Sequence, residues 1–409
     1  MKVAIIGGGA SGLIAAYHVS AVHDVHLFEK QDVLGGNIRT LNGNIDAPGV
    51  PADLRIENGV LGFHKQSYPT LHALLDELGV ETETKQPSSA LHRRDRLLPS
   101  EPKHLLNGQV WPKLLSSRGY LTDVRNMRRD YAATFRRIVR SDPSSDAPIS
   151  EFFGETDVLN DFVQALAALA FSTPFEEAGD LPVSLVAPYL HSTKYPDWTR
   201  LKNGVFSYVE ALLAKRKFAV TTGAGDVVLS RVVGGVEIAV QGETLKFDRA
   251  IVATTPGQVL KILTDADDAE RHLFGPWKDR VFRTQVHTTT DLYGRFKFAP
   301  HTPMDLFVDK DGPGRGYNTY MNDFYGIDGN RTYSFAYNLE EAIAPSDILS
   351  TADHIVPVHT VVARSRVPEI CASSGRRRVH YCGAYLSDGL HEGAAVSALR
   401  VSKEIMALA

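Results

Sequence analysis

Apolar positions along the first thirty residues fall into blocks of different period. Residues 3–6 (Val3, Ala4, Ile5, Ile6) form a continuous apolar run, far too short to span a membrane, which predicts a buried strand. Residues 13–20 are alanine-rich and helical, and residues 25–28 predict a second strand. Apolar residues at helical spacing over 71–79, stopped by Gly79, predict a scaffold helix. Residues 161–171 are apolar on most faces and predict a buried helix. The segments 227–229, 236–240 and 245–247 alternate as a strand meander, and 247–256 reads as a buried strand ending in Ala-Thr-Thr-Pro. Residues 284–290 and 333–337 are strand-like, with 317–323 between them. Residues 380–385 read as a strand with a glycine turn, followed by a helix over 389–400. The stretch 142–148, rich in Pro, Ser and Asp, reads as a surface loop. No internal repeat or low-complexity tract is present.

The junction of the first strand and helix carries Gly7, Gly9 and Gly12 in G-x-G-x-x-G spacing. Gly7 permits the tight turn, Gly9 lets the backbone approach a pyrophosphate, and Gly12 lets helix pack on strand. The helix N-terminus, at Ala10 and Ser11, offers free N–H groups and a partial positive charge to phosphates. Glu29 and Lys30 close the second strand, and a carboxylate at that point suits a ribose and disfavours NADP. A lone glycine motif is weak evidence; strand, glycines, helix, strand and terminal acid together point to a dinucleotide.

With 409 residues the chain is long enough for two domains. Its 43% hydrophobic and 22% charged residues are those of an ordinary globular protein. The net charge of −4 argues against nucleic acid as partner, and Arg93-Arg94 and Arg376-Arg377-Arg378 read as solvated surface charge. Cys371 and Cys382 show neither disulfide nor metal-ligand spacing, so no metal is expected. The early start of the nucleotide motif and the lack of a long apolar run predict a cytoplasmic protein without an integral membrane segment, a monomer or homodimer acting on a small molecule. No G-x-S-x-G elbow supports hydrolase chemistry.

Residues 32–40 add a glycine pair, Gly35-Gly36, followed by Asn37 and Arg39. In this the sequence resembles the flavin-containing amine oxidase superfamily, which also includes phytoene-type desaturases and flavin-dependent fatty-acid isomerases. Three further pieces carry the likeness in family order. Glu57-Asn58-Gly59 matches an acid-x-glycine at which the backbone passes close to the flavin. The 202–256 segment matches a glycine turn at Gly204, an adenine contact at Val227 and a strand ending at Thr254. The terminal segment matches a strand ending at Gly383-Ala384 and a helix opening Gly389-Leu390-His391-Glu392-Gly393-Ala394. In relatives that helix points its N-terminus at the flavin pyrimidine end, with the Leu390 and His391 amides as donors.

The resemblance implies an α/β fold: a Rossmann-type FAD-binding domain with a discontinuous α+β substrate domain. The FAD domain is expected over 1–82, 199–261 and 361–409, and the substrate domain over 83–198 (helical part) and 262–360 (sheet part). It implies FAD, held without a covalent link, and hydride transfer from a substrate carbon to the flavin. Two departures bear on the substrate. Amine oxidases usually carry a lysine on a substrate-domain strand, where this chain has 281–286 with Arg283 and Thr284. They often place an aromatic residue where Leu390 stands. A partly apolar metabolite is therefore expected, with desaturation or double-bond isomerisation of a fatty-acid or terpenoid-like substrate as the alternative. A flavin-binding protein without turnover and an NAD-only dehydrogenase are the further alternatives. Candidates for the chemistry are Tyr385, His391, Arg283 and Tyr320. His64, Tyr195, Trp198, Arg200, Tyr317 and Asn322 stand beside them as residues that ordinary packing explains equally well.

Overall fold

The computed structural model describes residues 1–87, 89–93, 96–99, scattered helical positions between 122 and 137, and 146–154, 157–192, 197–292, 303–309 and 314–408. Arg94, Tyr195 and residues 142–145 of the expected surface loop lie outside these described residues. The chain divides into two compact units, and it passes from one to the other four times. The first comprises Met1–Thr84, Thr199–Val281 and His354–Ala409; the second comprises Lys85–Trp198 and Phe282–Asp353.

The first unit is built on five parallel strands. In chain order its main elements are β1 (Lys2–Ile6), α1 (Ala10–Val19), β2 (Asp24–Phe28), α2 (Pro69–Leu78) and α3 (Phe206–Lys215). There follow β3 (Ala219–Thr221), β4 (Arg249–Val252), β5 (Val379–Tyr381) and α4 (His391–Met406). The sheet order is β3-β2-β1-β4-β5. Strands covered on both faces read as unbroken apolar runs, which is why residues 3–6 show no alternation. Val3, Ile5, Val25 and Leu27 meet residues from α1, α2, α3 and α4 on one face. Ala4, Ile6, Phe28 and Val252 meet the antiparallel meander Val228–Val232, Gly235–Val240 and Glu243–Phe247 on the other.

The boundary expected at residue 262 moves. Residues 262–281 and 354–360 belong to the first unit, because Ile262, Leu273, Phe274, Trp277 and Ala363 pack beneath β4 and β5 with Val252 and Tyr381. A helix of seven residues, Asp268–Phe274, whose only large apolar side chains are Leu273 and Phe274, does not announce which sheet it will cover.

The second unit carries a seven-stranded sheet. Its order is Ile348–Pro357, Asp279–His287, Ser334–Tyr337, Gly316–Tyr320, Met304–Phe307, Ser89–Arg93, Arg96–Pro99. Helices Asp157–Phe171 and Val183–Ser192 belong to it, and the former is mostly buried, as its apolar composition predicts. Tyr317 and Tyr337 stand opposite one another across two strands, and Phe282 stacks on Tyr337 with ring centroids 3.7 Å apart. No helix among the described residues is long and apolar enough to cross a membrane.

Two buried carboxylates tie distant segments of the first unit together. Glu392, in the first turn of α4, accepts the Thr70 and Leu71 amides at 2.8 and 2.9 Å and so caps α2, whose own first residue is Pro69. Glu57 is fully buried and accepts the Thr40 hydroxyl and the Val205 amide, each at 2.7 Å, just ahead of α3. Burial raises the Glu57 carboxyl from 4.5 to about 8, against the lowering effect of those two hydrogen bonds.

Glu392→Ala is expected to destabilise the protein by about 1.5–3 kcal/mol, the value of hydrogen bonds to a charged group, seen as a lower urea midpoint. Glu57 holds its proton more tightly folded than unfolded. Its contribution to stability is full below about pH 4.5 and lost as pH rises through about 8. Glu57→Gln should therefore flatten the decline of stability across that window in denaturant titrations; an unchanged slope would show that another group sets it.

Candidate functional site

The turn from β1 to α1 is fixed by close backbone contacts. Gly7 has φ +110°, and its amide donates to the Phe28 carbonyl at 2.8 Å. A Cβ on Gly12 would stand 1.9 Å from the Gly7 carbonyl oxygen, so only glycine lets the helix start there. Gly9 differs in kind: its φ is −79°, and a Cβ there would meet nothing in the protein closer than Gly36 Cα at 3.7 Å. The space beside Gly9 is open. Helix α1 has no side-chain cap, and its first bonded amide is that of Leu13, donating to the Gly9 carbonyl. The Ala10, Ser11 and Gly12 amides therefore have no acceptor among the described residues, although Ser11 and Gly12 are buried. Buried backbone donors are nearly always paired, and three unpaired ones at a helix N-terminus suit an anion.

The second glycine pair closes over the first. The Gly35 amide donates to the Gly8 carbonyl at 2.9 Å, and a Cβ on Gly36 (φ +60°) would stand 2.9 Å from Gly9 Cα. Glu29 is held from both sides, its Oε2 accepting the Gly8 amide at 2.6 Å and its Oε1 the Gln31 amide at 2.8 Å. Each carboxylate oxygen keeps a further lone pair. Lys30 turns outward to an exposed ion pair with Asp226 at 2.7 Å, which ties the strand end to the turn before the meander. Val227 lies in the apolar core there.

Arg39 is 6% exposed, yet no carboxylate among the described residues lies within ion-pair reach of it. Its guanidinium donates to the Ile38 carbonyl at 3.1 Å and to the Gln31 side chain. Burial works against the guanidinium's charge and the nearby Glu29 carboxylate offsets that only in part; a phosphate would offset it further. The Asn58 amide donates to the Arg39 carbonyl at 2.7 Å. Gly59 is a glycine for reasons internal to the protein, since a Cβ would stand 2.3 Å from the Asn37 carbonyl oxygen and 2.9 Å from the His354 ring. Asn37 itself donates to the Ile355 carbonyl at 3.4 Å.

At the C-terminal end, the Gly383 amide donates to Ser397 Oγ at 3.0 Å, and the Ala384 carbonyl accepts the Ser387 and Gly389 amides. Thr254 lies at the end of β4, where its amide approaches Gly7 and its carbonyl Gly383. The expected donor role of the Leu390 amide is not what is found. Asp388 Oδ1 accepts the Leu390 and Gly393 amides at 2.8 Å each, so the protein's own carboxylate fills part of this helix N-terminus. The His391 and Glu392 amides are left without an acceptor among the described residues. Burial raises the Asp388 carboxyl, while the two amides pull it back down. Asp388-Gly389 ahead of an apolar helix is a start signal that the sequence offered and that went unread.

The residues proposed for chemistry separate. Tyr385 is sealed in the core, its ring edge-on to Trp277 at 5.4 Å and its hydroxyl unpartnered, and burial holds the phenol well above its usual range. His391 packs against Phe63 and receives Tyr208, as described below. His64 is buried in the short strand Phe63–His64, and Arg200 pairs with Glu83 at 2.8 Å. In the second unit, Arg283 makes an exposed two-point ion pair with Asp353 at 2.6 and 2.7 Å. Tyr320 is half-buried at the start of helix Met321–Tyr325. Asn322 braces a turn through the Tyr333 amide and the Arg331 carbonyl, and Tyr317 is buried in the sheet. Among the described residues no group of side chains could hold a metal ion.

No curated protein sequence matches the chain. Solved structures do, over nearly the whole of both chains. Putrescine oxidase with putrescine bound is 13% identical, with 100% of this chain and 99% of that one covered and a TM-score of 0.69. The CLA-producing fatty acid isomerase from P. acnes is 16% identical, with 99% and 98% covered and a TM-score of 0.70. Cyclohexylamine oxidase from Brevibacterium oxydans IH-35A is 14% identical, with 100% and 99% covered and a TM-score of 0.66. At such identities the likeness shows the fold. The family of flavin-containing amine oxidoreductases matches residues 10–324. That match spans more than half of the chain, so the chain belongs to that family and is a FAD-dependent oxidoreductase.

Proposed function

We propose that the first unit holds FAD through the residues that its own packing leaves open, and that the substrate is a small to medium, partly apolar metabolite. The Ala10, Ser11 and Gly12 amides and Arg39 would hold the pyrophosphate, and Glu29 the adenosine ribose. Val227 would border the adenine, and Gly59 with the free amides of α4 would border the ring system. FAD, when bound, accepts a hydride from a substrate carbon. The protein's part is to orient that carbon, exclude water and supply donors where negative charge gathers on reduction.

The observation that carries the cofactor reading is the room beside Gly9, where an added Cβ would meet only Gly36 Cα at 3.7 Å, next to the unpaired amides of Ala10, Ser11 and Gly12, the last two buried. Cys382 is buried and its thiol is pushed up to about 12, which supports non-covalent FAD. Two free thiols suit a reducing, cytoplasmic setting. The substrate reading rests on strand Asp279–His287, which carries no lysine, on the ion pair that occupies Arg283, and on Leu390. The aromatic row of Phe282, Tyr317, Phe335 and Tyr337 in the second unit supports an apolar substrate. A second reading, desaturation or double-bond isomerisation of an unsaturated chain, draws on the same apolar row. Isomerisation would consume no electron acceptor.

The purified protein should be yellow and release FAD on heating, and a substrate added without oxygen should bleach it. A panel of amines and of unsaturated fatty acids then separates the readings; a yellow protein that nothing bleaches would speak for binding without turnover. Gly9→Ala should fold normally, with unchanged circular dichroism and thermal midpoint, while FAD affinity falls at least about tenfold, some 1.4 kcal/mol. Gly12→Ala should damage the fold itself, since its Cβ would overlap the Gly7 carbonyl. Glu29→Ala should weaken FAD by about 1–3 kcal/mol, measured by flavin titration of the stripped protein.

A further inference from the structure

His391, the first residue of α4, stands in an arrangement that the flavin reading alone does not require. The Tyr208 hydroxyl, on α3, lies 2.8 Å from His391 Nε2, and its ring meets the imidazole edge-on with centroids 5.7 Å apart. Phe63 covers the imidazole from another side at 4.9 Å. Tyr208 is fully buried, and its hydroxyl has no other partner among the described residues. If Nε2–H donated to the phenol oxygen, the phenol hydrogen would be left buried and unpaired, a cost of about 1–3 kcal/mol. The economical arrangement is O–H donating to a bare Nε2, and a neutral imidazole then carries its hydrogen on Nδ1. Burial pushes the imidazole down to about 4, and the positive end of α4 also opposes a charge there. Nδ1 has no acceptor among the described residues and is not one of their buried unpartnered atoms, so its hydrogen is open to an acceptor from outside. The His391 and Glu392 amides beside it in the chain also lack an acceptor among the described residues.

We infer that Tyr208 is a positioning residue that fixes the tautomer of His391, so that the first turn of α4 carries three neutral donors, Nδ1–H and two amides, for one acceptor group. That the acceptor is the pyrimidine end of FAD rests on the flavin reading; the tautomer does not. A neutral donor stabilises the reduced flavin's negative charge without adding a proton that could compete for it. Asp388 complements the arrangement by occupying the Leu390 and Gly393 amides, which confines the free donors to His391 and Glu392.

The test begins with ¹⁵N-histidine NMR of the flavin-stripped full-length protein near neutral pH. The wild type should show His391 with a bare Nε2 and a protonated Nδ1, and Tyr208→Phe should show both tautomers in exchange. A proton on Nε2 in the wild type, or an unchanged tautomer in Tyr208→Phe, overturns the inference. In the flavin-loaded protein, Tyr208→Phe should lower the preference for reduced over oxidised FAD by about tenfold, or about 30 mV for a two-electron couple. His391→Asn, which keeps an N–H near the Nδ1 position, should retain the wild-type potential, and His391→Leu should lose it. Equal potentials in all four proteins would also overturn the inference. A protein that takes up no FAD would defeat the flavin reading while leaving the NMR result to stand.

Discussion

The contact on which the first unit depends is the approach of Gly12 to the Gly7 carbonyl, a distance that a single added carbon would close to 1.9 Å. It sets the start of α1 directly at the end of β1, so the helix cannot slide or tilt away from the sheet. Gly8 then reaches Glu29, Gly35 pairs with Gly8, and Gly36 settles against Gly9. All of these contacts except that to the Glu29 carboxylate are backbone on backbone. The geometry is therefore stiff, and it leaves polar hydrogens facing outward where a side chain would otherwise have covered them.

Helix N-termini elsewhere in the same unit are handled differently. Glu392 caps α2, Glu57 binds the amide that leads into α3, Asp279 takes the Gly257 amide at 3.3 Å, and Asp267 closes a capping box. Each is a carboxylate brought to the positive end of a helix. Several helix starts in this unit thus receive a carboxyl group from the protein itself, whereas α1 receives none. Helix α4 is intermediate, half filled by Asp388 and half open.

Local features carried most of the legible information. β1, α1, β2 and Glu29 were readable because glycine spacing and an apolar run lie within thirty residues of one another. The meander and α2 followed from period and from Gly79, which takes φ +72° at the helix end. What escaped the reading was set by partners far away in sequence. Glu392 matched a family motif, but its grip on Thr70 lies 322 residues back. Tyr208 carried no signal in the sequence, and its hydroxyl finds its partner, His391, 183 residues away on α4. Tyr385 and Arg283 lie close to matched motifs, but one is enclosed by Trp277 and the other engaged by Asp353. The edge at 262 differs from the unit boundary at 281 because Asp268–Phe274 has only two large apolar residues, Leu273 and Phe274, with which to signal its core.

The four crossings between units carry a consequence for how the protein is made. β5 and α4 come from the last thirty-odd residues, and α4 packs along α1 near the opposite end of the chain. During synthesis the first strand, helix and glycine turn emerge early, but the surface of α1 that α4 covers stays bare until residues 391–406 have been made. Parallel sheets closed by such distant segments form slowly and expose apolar surface while they wait. Until then α2 lacks the carboxylate that caps it, and the first turn of α4 does not yet exist. Until that helix has been made, the exposed apolar face of α1 must be kept from aggregating.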